Sequence, residues 1–151
     1  MNKEVYKHQT IMFCVMVLVG MLFNPMNILA YRLDDLYVSF TLFYGGLLMA
    51  SNMMWSHEIV HYLSMGHFNK SVFIVGILFS LFSVYLLRNQ LFVDDKNWLL
   101  RMIPHHSTAL TTTTNLINKN TYIKENPQLY RLAKDIVYNQ EREITFMKNM
   151  L

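Results

Sequence analysis

Asp94-Asp95-Lys-Asn-Trp98-Leu99-Leu-Arg-Met102-Ile-Pro104-His105-His106 is the stretch that decides how this chain is read. Its opening carboxylates suit the free amide groups of a helix's first turn. Leu99, Met102 and His106 then follow at helical spacing, with a proline set unusually between a methionine and two histidines. About one helix later the chain carries Gln140, Glu143 and Met147 at matching intervals. Thioether, imidazole and carboxylate groups in one repeating pattern suit a late first-row or coinage metal, copper first, with zinc or silver as alternatives.

The pattern implies two paired helices, about 95–117 and 127–150. Asn126-Pro127 supplies the second start signal, with Asn as cap and Pro in the first turn. Asn118-Lys119-Asn120 and Lys124-Glu125 form the polar connection between them. Alternating steps of four and three from Asp95 give Leu99, Met102, His106, Ala109, Thr113 and Leu116. From Leu129 they give Ala133, Ile136, Gln140, Glu143, Met147 and Met150. Antiparallel folding sets His106 opposite Gln140 and Met102 opposite Glu143, with His105 at the edge of the seam. A polar cluster that only fixes helix register is the competing reading of this layer. A lone hairpin cannot cover both sides of its seam, so it should pack against a second copy, a homo-oligomer completing a four-helix bundle, or against the outer end of the third span.

Upstream the composition changes. The whole chain is 53% hydrophobic and 15% charged, far below the quarter or so charged residues of soluble domains. Gln9–Tyr31, Tyr37–Ser56 and Ser71–Leu87 contain no Asp, Glu, Lys or Arg, and each approaches the roughly 20 residues that cross a bilayer. The expected architecture is all-α: a transmembrane region over 1–90, with spans about 9–31, 37–60 and 71–90, and a helical hairpin over 91–151. Asn24, Pro25 and Asn27 sit where a signal peptide would need small residues, so the first run reads as a retained span. Lys3 and Lys7 before it and Lys70 in the second loop place the N-terminus in the cytoplasm and the hairpin outside. The lipid bilayer is thus the first partner. The net charge of +3 is scattered, so nucleic-acid binding finds no basic patch. The single cysteine, Cys14, forms no intrachain disulfide.

His57-Glu58-Ile59-Val60-His61 matches the zincin string, two histidines one turn apart with a glutamate to activate water. An intramembrane protease needs a further ligand from a later span, and Ser71–Leu87 offers no carboxylate. The preferred reading is a polar helix end at the cytoplasmic interface, with a non-catalytic metal contact through His57 and His61 as a secondary one.

Met102-Ile-Pro-His-His-Ser-Thr-Ala-Leu110, Asn126-Pro127-Gln-Leu129, Leu132-Ala133, Asp135-Ile136, Gln140, Glu143-Ile144 and Met147 resemble the ferritin-like helical-bundle family known as domain of unknown function 305. The pattern covers about a third of the chain. Tyr31-Arg-Leu-Asp34, Tyr37, Ser39 and Tyr44 resemble a membrane-bound branch of it. The resemblance implies an extracytoplasmic bundle, in some members associated with copper or silver tolerance, and no enzymatic activity. Its implied metal ligands are Met102, His105, His106 and Met147, with Gln140 and Glu143 as inner-layer partners. The family often carries Met where this chain has Leu99, and many soluble members carry another at Thr112, so thioether donors are fewer here.

Overall fold

A computed structural model describes residues 3–119 and 122–151; Asn120 of the expected polar connection lies outside them. Every regular element among the described residues is helical. In chain order these are α1 (Lys3–Leu22), α2 (Pro25–Ile28), a 3-10 turn (Leu33–Asp35), α3 (Phe40–Met65), α4 (Lys70–Asn89), α5 (Asp95–Lys119), α6 (Tyr122–Glu125) and α7 (Pro127–Lys148). They sort into two units. The first joins residues 1–23 to 40–93, and the second joins 24–39 to 94–151.

In the first unit α3 packs against both α1 and α4. The contact positions are small. A Cβ on Gly46 would lie 2.7 Å from the Val17 carbonyl oxygen, and one on Gly76 would lie 3.0 Å from the Trp55 amide nitrogen. Hydrogen at those positions is what lets the backbones approach so closely. Ala50, Ser51, Ser80 and Ser83 are buried beside them. The buried hydroxyls bond back within their own helices, Ser51 to the Leu47 carbonyl at 2.6 Å and Ser83 to that of Phe79 at 2.7 Å. Large apolar groups point the other way: Ile11, Val15, Leu18, Leu78, Leu81 and Phe82 are all exposed.

Two stretches, Lys3–Ile28 and Lys70–Asn89, are long and apolar enough to cross a membrane, not the three that the sequence led us to expect. Helix α3 falls short because Asn52, Ser56, His57, Glu58 and His61 dilute its apolar residues. The first expected span, 9–31, is also corrected. Helix α1 stops at Leu22, where Asn24 accepts hydrogen bonds from the amides of Met26 and Asn27 and Pro25 opens the short α2.

The second unit is built on α5 and α7. Leu99, Ile103 and Leu110 of α5 form an apolar core with Ile144 and Met147 of α7, and Tyr37, Met102 and Val137 pack against it. Each fully buried side chain of this kind contributes about 1.5–3 kcal/mol. The expected start signals hold. Asp94 accepts a 2.7 Å bond from the Asn97 amide, and Asn126 a 3.1 Å bond from that of Leu129.

The expected division at residue 90 or 91 left out residues 24–39, which belong to this second unit. The Met26 carbonyl accepts a 3.0 Å bond from Thr108, and the Met26 sulfur meets the Arg101 guanidinium. The Tyr31 amide donates to Ser107 Oγ at 2.7 Å. Ser107 Oγ donates to Asp35 Oδ2 at 2.5 Å, and Lys148 Nζ lies 2.6 Å from Asp35 Oδ1 and 2.7 Å from Asp34 Oδ2. Asp35 and Ser107 are both fully buried. This segment therefore covers one side of the helix pair. It also explains why the buried face of α5 runs through Leu99, Ile103, Ser107 and Leu110, rather than along the seam counted from Asp95.

Candidate functional site

Helix α5 continues through Pro104, which is buried and lacks the amide that would bond the preceding turn. In the threonine run beyond it the hydroxyls of Thr108, Thr111 and Thr112 donate back to the carbonyls of Pro104, Ser107 and Thr108, so none competes for the helix amides. Two residues either side of Pro104, the chain presents Met102 and His106 to α7.

There the two helices enclose a cleft of about 350 Å³, lined by Trp98, Leu99, Met102 and His106 from one side and Glu143, Phe146, Met147 and Met150 from the other. His106 Nδ1 lies 3.0 Å from Glu143 Oε2. The register thus differs by one seam position from expectation: the partner of His106 is Glu143, not Gln140. Gln140 is half-buried on α7 and is not among the cleft's lining residues. His105 is exposed, its ring edge-on to His106 at 5.8 Å, and it too lies off the cleft wall.

The electrostatics favour a neutral imidazole. Burial pushes the His106 pKa below the usual histidine value, the Glu143 carboxylate opposes that shift, and neighbouring His105 adds to it. The His106 side chain is 14% exposed and that of Glu143 45%, so water reaches the carboxylate more readily than the ring. A neutral imidazole beside thioether sulfurs is a soft donor set. Among the described residues no group of three or more His, Cys, Asp or Glu side chains is assembled for a metal. Any ion in the cleft would therefore depend on sulfur. Met150, Trp98 and Phe146 line the cleft but were not singled out as site residues. Met150 closes the seam counted from Leu129, three residues after Met147, and that interval is the signal for it.

The zincin-like string is arranged for another purpose. Glu58 is buried, and its Oε2 accepts a 2.9 Å bond from the Asn69 amide. Asn69 in turn caps α4 through bonds from the amides of Ser71 and Val72. The carboxylate thereby ties the end of α3 to the start of α4 across a turn containing Gly66, whose φ is +68°. His57 and His61 stack at 5.9 Å, and His61 Nδ1 lies 3.2 Å from the His67 carbonyl oxygen.

Comparison with known proteins reaches the same region. The sequence profile of a family described as Domain of unknown function (DUF305) matches residues 87–151. The chain is 34% identical to "Uncharacterized protein L153" of Acanthamoeba polyphaga mimivirus over 128 residues, 85% of this chain and 81% of that relative. The chain belongs to the DUF305 family. The DUF305 match takes in α5, α6 and α7 whole, while the similarity to the mimivirus protein is long enough to reach beyond that region. No solved structure matches the chain.

Proposed function

We propose that this DUF305 protein is a membrane-anchored, non-enzymatic metal-handling module, with copper or silver in the cleft between α5 and α7. The observation that carries the reading is the neutral, half-buried His106 set against Glu143 in a cleft that Met102, Met147 and Met150 also line. Those side chains would hold a soft ion by sulfur and nitrogen, with the carboxylate balancing its charge. Zinc, a harder ion, would find only one imidazole and one carboxylate there. His105, exposed and off the cleft wall, would shield or recruit the ion rather than hold it.

The anchor reading rests on two observations. The first unit turns large apolar groups outward and small or hydroxylated ones inward, the arrangement that suits lipid rather than water. The second is that Lys3–Ile28 and Lys70–Asn89 are each long and apolar enough to cross a membrane. Taking α3 as the return pass between them, with the N-terminus in the cytoplasm, puts the cleft outside. Leu129 and Leu132, still exposed on α7, leave room for a second copy, which crosslinking of the intact protein would test.

Elemental analysis of gently purified full-length protein provides the test. We expect copper or silver at a stoichiometry that falls in His106→Ala and in Met147→Leu, and changes little in His105→Ala. Equal metal content in wild type and His106→Ala would leave His106 and Glu143 as a register-fixing pair only.

A further inference from the structure

The first unit holds a second concavity, lined by residues outside the DUF305 match. It has a volume of about 300 Å³ and is lined by Tyr6, Gln9, Thr10 and Phe13 of α1, Met54 of α3, and Ser71, Val72, Val75 and Phe79 of α4. Its two ends differ. Tyr6, Gln9, Thr10 and Ser71 lie within the first two turns or so of their helices and give one end hydroxyls and an amide. Phe13, Val75 and Phe79 lie one to two turns deeper, and the Phe13 and Phe79 rings meet edge-on at 5.8 Å. From Tyr6 to Phe13 the groove runs roughly 10 Å along α1 at the normal helical rise.

Gln9 gives this groove its chemistry. It is only 8% exposed, and its side-chain Oε1 is buried with no hydrogen-bond partner. An orphaned buried acceptor is costly, so the groove has an unmet demand for a donor. Lys3, Lys7 and Lys70 flank the same end in sequence, against Glu4 as the exposed acid nearby. No salt bridge among the described residues engages those three lysines. An apolar floor, an unmet acceptor and a cationic mouth match one class of molecule: an anionic phospholipid whose headgroup carries hydroxyl donors.

We propose that the groove between α1 and α4 is a binding site for such a lipid. A headgroup hydroxyl donates to Gln9 Oε1, the phosphate faces the lysines, and part of an acyl chain lies on Phe13, Val72, Val75 and Phe79. The proposal rests on the membrane-anchor reading, because the lipid enters from the bilayer at the end of α1 and α4.

The test uses full-length protein in nanodiscs of mixed phosphatidylcholine and phosphatidylglycerol, with native mass spectrometry to count the lipid retained on release. Phosphatidylglycerol should be retained in preference to phosphatidylcholine. Gln9→Leu should lower that preference roughly threefold to tenfold, the worth of one hydrogen bond in binding. Val75→Trp, which fills the apolar floor and leaves Gln9 in place, should abolish retention and covers the case in which Gln9→Leu fails to fold. Protein that enters nanodiscs yet retains both lipids equally, or retains phosphatidylglycerol undiminished in both variants, overturns the lipid site alone. Protein that cannot be reconstituted overturns the anchor reading as well.

Discussion

Replacing Asp35 by Ala should loosen the whole second unit, because that side chain ties residues 24–39 to both long helices. Its carboxylate is fully buried, accepts a 2.5 Å bond from Ser107 and lies 2.6 Å from Lys148 Nζ. The alanine leaves the buried Ser107 hydroxyl without its acceptor, a cost of about 1–3 kcal/mol. Lys148 loses less, since its side chain is 23% exposed and it keeps Asp34 at 2.7 Å. Adding the lost charge-assisted contact, we expect about 2–4 kcal/mol. For a unit made of residues 24–39 and 94–151, total stability should be on the order of 4–11 kcal/mol, so the loss is a large share of it. Lys148→Met should cost as much or more, about 3–5 kcal/mol, because it leaves the buried Asp35 carboxyl without its cationic partner. The double variant Asp35→Leu, Lys148→Met should recover much of that loss, since neither charge then remains buried. Of the two tryptophans, Trp55 lies in the first unit and Trp98 in the second, so a Trp55→Phe background makes Trp98 fluorescence report denaturant unfolding of this unit. Tryptic cleavage at Arg32 should quicken in the same variants. Single-variant losses under about 1 kcal/mol, or simple additivity in the double variant, would refute the reasoning.

Three further outcomes are expected. Because burial holds the folded His106 pKa below its unfolded value, the unfolded chain takes up the proton first, so the second unit should weaken as pH falls from about 6.5; His106→Gln should flatten that slope in Trp98-monitored denaturation, and an unchanged slope would assign it elsewhere. Glu58→Ala should destabilise the α3–α4 turn by about 1–3 kcal/mol while Glu58→Gln, which keeps an acceptor for the Asn69 amide, costs less; equal losses in thermal unfolding would count against that contact. Gly46→Leu should disrupt the α1–α3 crossing, because a Cβ there already meets a backbone oxygen at 2.7 Å, and unchanged thermal stability and elution volume would argue against the close approach.

The sequence determined the helical class, the α5 and α7 starts and the DUF305 resemblance, since caps and apolar periodicity are local signals. Asp94, Asn126 and Pro127 act within one turn of themselves and could be read where they stand. The sequence also marked Met102, His106, Glu143 and Met147 as one cluster, because helical spacing alone puts each set on one side of its helix.

Tertiary structure decided what lies opposite what. Nothing local to Asp35 announces that it will be buried against Ser107 and Lys148, more than 70 and 110 residues away. That long-range contact draws 24–39 into the second unit, buries Ser107 on α5 and leaves His106 facing Glu143 instead of Gln140. The same holds for Glu58, whose string reads as zinc chemistry until the Asn69 amide is seen to take the carboxylate. A side chain's type limits its chemistry, but which neighbour satisfies it when water is excluded depends on the packing of distant segments.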